Sequence, residues 1–310
     1  MTKSNNDIIS LKNKDSELRL LPKLGGAILS FEYLGQQVFR EVDEETFFKD
    51  PTVRLTACYP LVPFSNRIAN GKFKWEDEEY TLRKNFGDSP HALHGLGWQS
   101  EWNISEVKED EATLTLSHKP KSEGDWPFAF KVDQQFKLIN NELHLSLTVE
   151  NQDAKTMPCG LGWHPFFKRS AQTHCEFIAK NLWQNDDNML PSQSIEIDSS
   201  LLKELFQPLG ETPKLDNCLS GFEGYFSLKQ PEFNRQIDIY ASKALNHLVI
   251  FTPPTGTFIA IEPVTHRNAA INTNDPKSHG IETLAPNCSM NVTCIIKIDS
   301  LESSKLAANN

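Results

Sequence analysis

The sequence predicts an all-β protein, a large antiparallel β-sandwich in a single domain, and three observations carry that expectation. Short apolar segments recur between Gly, Asn and acidic turns along nearly the whole chain. Several of them pair as hairpins with one buried face. No regular alternation of strands with amphipathic helices occurs, which argues against a Rossmann-type sheet. At 310 residues the length allows two domains, yet all-β sandwiches often exceed about 200 residues as one unit. The expected domain covers 10–300, with flexible, polar tails at 1–9 and 301–310.

Taken in order, 17–21, 27–33 and 37–40 read as strands broken at Gly25-Gly26 and Leu34-Gly35. Leu29, Phe31 and Tyr33 alternate with Ser30 and Glu32, although Ile28 breaks the pattern. Segments 73–75 and 80–82 flank the turn Glu76-Asp77-Glu78, and 102–107 pairs with 112–117 across Lys108-Glu109-Asp110. In the clearest hairpin, 128–138 turns through Asn140-Asn141 and returns as 143–150. There Leu143, Leu145, Leu147 and Val149 alternate with His144, Ser146 and Thr148, a pattern that buries one face only. Segments 236–240, 247–251, 257–262 and 290–298 complete the strand candidates. Only 199–206 (SSLLKELF) reads as a short helix, with serine as its N-cap.

Composition narrows the partners. With 31 basic against 41 acidic side chains the formal charge is -10, which argues against nucleic acid or an anionic membrane. A neutral or cationic small molecule fits better. The N-terminus carries no apolar leader, and no stretch of about 18 apolar residues occurs, so a cytoplasmic protein without a membrane span is expected. Six cysteines without CxxC spacing suggest free thiols and neither a zinc knuckle nor a redox pair.

Four segments stand out: 59–71 (YPLVPFSNRIANG), 90–98 (PHALHGLGW), 160–167 (GLGWHPFF) and 261–272 (IEPVTHRNAAIN). Proline disfavours helix in the residue before it, so His164 and Glu262 are both expected in extended backbone. Glu262 follows the apolar run 258–261, at the end of a core strand. The plainer readings are a buried histidine and a surface glutamate. His91 and His94, with His164 and His266, raise a metal cluster. Strand positions three apart face opposite sides, however, so one ion could take both His91 and His94 only from a loop. Gly95 and Gly97 favour backbone close to a ligand, with His94 alone pointing into a pocket. Asn66-Arg67, on a turn-flanked segment, offers fixed donors suited to sugar hydroxyls or, equally, to closing a loop.

PLVPFSNRIANGKF, HALHGLGW, GLGWHPFF and IEPVTHRNAAIN, in that order, resemble the aldose 1-epimerase (galactose mutarotase) family over nearly the full chain. The resemblance implies a β-supersandwich whose open face holds a sugar. It also implies an isomerase that interconverts the α and β anomers of a free aldohexose without cofactor or metal, as a monomer or homodimer. By position it assigns Glu262 as general base and His164 as general acid, with Asn66, Arg67 and His94 on the sugar. Asp216, in Leu215-Asp216-Asn217-Cys218, resembles the family's hydroxyl-binding aspartate.

The pattern diverges from the best-known galactose mutarotases. Gly95-Leu96 follows His94 where two glycines are usual, the glutamate sits in I-E-P, and Pro165 follows His164. Glu282, in G-I-E-T, is a decoy. Reference pKa values of about 4.3 and 6.5 would leave Glu262 ionised while a nearby negative charge holds His164 protonated. Trp98, Trp163 or Phe166 would cover the sugar's C–H face. The alternatives are a non-catalytic carbohydrate-binding protein and a glycoside hydrolase using Glu262 and Asp216. A phosphorylated or sulfonated sugar is disfavoured by the acidic balance, unless a local basic pocket overturns it.

Overall fold

The computed structural model describes residues 8–205, 207–208, 214–253 and 257–301. Two eight-stranded sheets form the body. The first runs, in spatial order, Asn103–Val107, Glu111–His118, Phe130–Ile139, Glu142–Asn151, Ser289–Ser300, Arg235–Ala241, Tyr225–Gln230 and His174–Phe177. The second runs Pro191–Glu196, Asn181–Asn185, Asp216–Ser220, His247–Phe251, Phe258–Val264, Gly162–Trp163 and Pro60–Leu61, with Phe166–Lys168 also on Phe258–Val264. Every named strand pairing in these sheets is antiparallel. A separate four-stranded sheet comprises Ile9–Lys12, Ser16–Leu21, Ala27–Tyr33 and Gln36–Gln37.

The central hairpin shows how sequence sets register. Ile139 faces Glu142 across Asn140, which takes φ +51. Asparagine tolerates this left-handed conformation better than most residues. Leu143, Leu145, Leu147 and Val149 are buried in strict alternation. They meet Val132, Phe136, Val292, Cys294 and Ile296 in one core between the sheets. Each buried Leu or Val contributes roughly 1.5–3 kcal/mol, so truncating Leu145 to Ala removes one of the larger single increments.

Strand Phe258–Val264 is buried on both faces. Ile259 and Ile261 enter the inter-sheet core with Leu219, Leu248 and Ile250. Ala260 and Val264 face the other way, into a second cluster with Tyr59, Leu61, Trp98, Phe166, Cys218 and Val249. The strand continues two residues beyond Glu262, so Glu262 is interior to it and not at its end, a correction to the sequence reading.

Other expectations shift locally. Helix Ser199–Leu205 forms, but the Asp198 carboxylate accepts the Ser200 and Leu201 N–H groups, so aspartate is the cap and Ser199 the first helical residue. Residue 206 lies outside the described residues, as do 1–7 and 302–310 of the expected tails. Ile9 already opens a strand. Segment 37–40 is strand only at Gln36–Gln37. The strands at His174–Phe177, Asn181–Asn185, Pro191–Glu196, Asp216–Ser220 and Tyr225–Gln230 were not foreseen from sequence. No helix among the described residues is long and apolar enough to cross a membrane.

Candidate active site

Pro165 splits the strand beside Phe258–Val264 into Gly162–Trp163 and Phe166–Lys168. Gly162 faces Val264 and Phe166 faces Ala260, so the position midway between these pairs sets His164 opposite Glu262. Opposed residues on antiparallel strands share a face. Accordingly, Nε2 of His164 lies 3.1 Å from Oε1 of Glu262. On the other flank the His164 N–H donates to the Tyr59 carbonyl at 2.9 Å, and the two rings lie 4.7 Å apart. In the opposite direction Glu262 faces Val249, Val249 faces Cys218 and Cys218 faces Trp183. One row of side chains therefore crosses the sheet from Tyr59 to Trp183. Asp216, opposite Phe251, which is itself opposite Ala260, occupies the neighbouring row on the same face.

A second wall comes from the short pair Arg67–Ile68 and Ala92–Leu93. Asn66 and His94 both take positive φ, +51 and +57, and lock together. The His94 N–H donates to the Asn66 carbonyl at 2.9 Å, and the Asn66 N–H donates to His94 Nδ1 at 3.0 Å. Because Nδ1 accepts, the proton of neutral His94 sits on Nε2, which is left as a donor. The Asn66 side-chain oxygen accepts from both the Arg67 N–H and Nη1, each at 3.0 Å, which leaves its amide hydrogens for another acceptor. His94 and His164 rings are 5.4 Å apart, edge to face. Arg67 and Asp216, only partly buried, mark the open side.

Burial governs the charges. It pushes the Glu262 carboxyl well above the usual range, with Asp216 adding to the rise and Arg67 opposing it. Asp216 is raised for the same first reason and held back by Arg67. His164 is driven well down by burial, then by His94 and Arg40. His94 is lowered to about 3, again by burial first and Arg67 second. The expected arrangement, a carboxylate beside a protonated imidazole, is therefore opposed by desolvation. Oε1 and Nε2 stand 3.1 Å apart, an ion-pair separation at which a carboxyl raised by burial and an imidazole lowered by it compete for protons. Glu262 Oε2 and His164 Nδ1 are buried and make no hydrogen bond with any described residue.

The site thus brings Asn66, Arg67, His94, His164, Asp216 and Glu262 to one face. Other expected residues go elsewhere. Trp163 belongs to the inter-sheet core and cannot cover a ligand, whereas Trp98 and Phe166 lie on the site side. His91 is tied at both nitrogens, accepting from the Asn70 N–H at Nδ1 and contacting the Asn188 carbonyl at Nε2, each at 3.0 Å. His266 is also structural, accepting from the Ser65 N–H and bonded to the Arg267 carbonyl. Among the described residues no three His, Cys, Asp or Glu side chains are grouped to hold a metal. Gly95 and Gly97 make room for Val62 and not for a ligand: a Cβ on Gly95 would stand 2.1 Å from the Val62 carbonyl oxygen. Glu282 is exposed on a strand paired with Met157–Cys159. Sequence reading missed Tyr59, whose ring touches His164, His94, Trp98 and Phe166. Its place one strand from His164 depends on the pairing of Pro60 with Trp163, which no local signal encodes.

The two-sheet sandwich with its site on the outward face of one sheet places the chain among the galactose mutarotase-like β-proteins. A solved galactose mutarotase-like protein of Clostridium acetobutylicum superposes with TM-score 0.81 at 20% identity, covering 95% of each chain. A provisionally described aldose 1-epimerase of Escherichia coli K12 superposes with TM-score 0.84 at 26% identity, covering 95% of this chain and 99% of that one. The chain belongs to the aldose 1-epimerase family, whose sequence model matches residues 7–297. The uncharacterized protein YphB of E. coli K12 is 30% identical over 240 residues, 74% of this chain and 79% of that protein.

Proposed function

We propose that this protein is an aldose 1-epimerase that interconverts the anomers of a free aldohexose by acid-base ring opening and closure. The observation that carries the reading is the buried contact of His164 Nε2 with Glu262 Oε1 at 3.1 Å, from opposed positions on neighbouring strands. In the forward half, Glu262 takes the proton of the anomeric hydroxyl as His164 delivers one to the ring oxygen and the C1–O5 bond breaks. After rotation about C1–C2 the transfers reverse, with Glu262 returning a proton to the aldehyde oxygen while His164 takes one from the attacking hydroxyl. The two-residue system carries the same number of protons before and after each half, so no net charge is created in the buried site. Such acid-base catalysis contributes typically about 10²–10⁴-fold. His94 Nε2–H, the Asn66 amide, Arg67 and Asp216 orient the sugar, with Trp98 and Phe166 on its apolar side. The chemistry needs no metal or organic cofactor.

Polarimetry on freshly dissolved α-glucose and α-galactose tests this. Equilibration accelerated in proportion to enzyme concentration is expected, and binding of either sugar without any acceleration would assign a carbohydrate-binding role instead.

A further inference from the structure

Tyr59 stands at the other end of the row that carries His164 and Glu262. Pro60 faces Trp163 and Leu61 faces Gly162, so the same register sets Tyr59 opposite His164, just as Gly162 with Val264 and Phe166 with Ala260 set His164 opposite Glu262. Tyr59, His164 and Glu262 therefore follow one another on a single face, at about 4.8 Å per strand. Other rings fix the phenol in place. It stacks on Trp98 at 5.6 Å and 30°, lies 4.7 Å from the His164 ring and 6.0 Å from Phe166, and takes His94 edge-on at 6.1 Å.

A tyrosine buried among rings usually finds a partner for its hydroxyl, and otherwise phenylalanine would pack as well. Tyr80 and Tyr225, both more exposed, each donate to a carboxylate at 2.8 Å. Tyr59 is only 5% exposed, and its hydroxyl makes no hydrogen bond with any described residue. Unlike Glu262 Oε2 and His164 Nδ1, however, that oxygen is not closed off from solvent. It is open to a ligand. Burial first and Glu262 second raise the phenol well above its ordinary range, against Arg40 and Arg54, so it stays protonated and can donate.

The order of the row matches the order of atoms along one edge of a sugar ring. In an aldohexopyranose the ring oxygen O5 lies between C1, which carries O1, and C5, which carries the hydroxymethyl group. With Glu262 on O1 and His164 on O5, the next position in the row meets the substituent on C5.

We propose that the Tyr59 hydroxyl donates to O6 of the sugar and so selects aldohexoses over pentoses and 6-deoxyhexoses. This rests on the epimerase reading and names the contact that sets specificity at the same site. A site with a donor built for one substrate hydroxyl discriminates against analogues that lack it, because the donor is then left unpaired.

The test is anomerisation, followed by exchange NMR, of glucose, 6-deoxyglucose and xylose, which share C1 to C4 and differ only in what C5 carries. The wild type should favour glucose by about 3- to 10-fold in kcat/KM, the worth of one neutral hydrogen bond. Tyr59→Phe keeps the ring and its packing, and should bring the ratio of glucose to 6-deoxyglucose close to one by raising KM for glucose. A wild type that turns over 6-deoxyglucose as well as glucose overturns the proposal without any variant. So does a Tyr59→Phe that keeps the full preference, or one that slows all three sugars alike, since a hydroxyl serving O5 or a ring merely supporting His164 would not tell them apart. If no aldose is equilibrated the epimerase reading fails. Calorimetric binding of glucose and 6-deoxyglucose to the wild type then decides the O6 contact, and equal affinities overturn it.

Discussion

His164 and Glu262 come from segments almost a hundred residues apart and meet as a cross-strand pair, Nε2 to Oε1 at 3.1 Å. The pairing depends on two flanking register contacts, Gly162 with Val264 and Phe166 with Ala260. Sheet geometry therefore fixes the dyad without help from a flexible loop.

Glu262→Gln should lower kcat for anomerisation by about 10²–10⁴-fold while sugar binding persists. The thermal midpoint of this variant should hold or rise, because the amide escapes the desolvation cost of the buried carboxyl. His164→Asn should show the same loss of kcat. Near-normal turnover in Glu262→Gln would move the base to another carboxyl.

Arg67→Ala is expected to act mainly through KM, raising it about 10- to 100-fold, equivalent to about 1.5–3 kcal/mol for bonds to a charged group. Arg67 Nη1 also holds the Asn66 amide, so Asn66→Ala should reproduce part of the effect and the double variant should be less than additive. Steady-state kinetics on the four forms reads this directly, and strict additivity would contradict it.

Gly160→Ala should destabilise the fold by about 1–3 kcal/mol in urea unfolding. An added Cβ would stand 2.0 Å from His266 Cδ2, and that ring is bonded at Nε2 and Nδ1 to Ser65 and Arg267. A variant as stable as the parent would show that the ring can yield.

Acid should weaken the protein. Burial holds His94 and His247 down to about 3 and His266 to about 4, against about 6.5 in the unfolded chain. Between those limits the unfolded state binds more protons, so the stability present above about pH 6.5 is lost as pH falls. At pH 5 each such histidine withdraws about 2 kcal/mol. The raised Glu262 and Asp216 carboxyls act with the opposite sign, but they are outnumbered. The unfolding midpoint should therefore drop between pH 7 and pH 5, and a constant or rising midpoint would refute the account.

Much of the fold was legible because antiparallel hairpins write their pairing into nearby residues. The Leu143, Leu145, Leu147, Val149 alternation and the Asn140-Asn141 turn predict both strands and register. Strands such as Pro191–Glu196 and Asp216–Ser220 escaped notice because they are polar or irregular and take their shape from neighbours already in the sheet. The mix of apolar and polar residues in 261–272 marked a special segment, but could not show that Glu262 is interior to its strand.

The sequence by itself determined the all-β class, the main hairpins and the four segments in which five of the six candidate site residues lie, since period-two burial and proline-restricted backbone are local properties. Tertiary structure decided which side chains share a face. It set Tyr59 against His164, sent Trp163 into the core, turned His91 and His266 into structural bonds and stacked Arg267 on Trp183. The physical reason is that a strand residue's surroundings follow from the register of its neighbours, and those neighbours here lie scores of residues away along the chain.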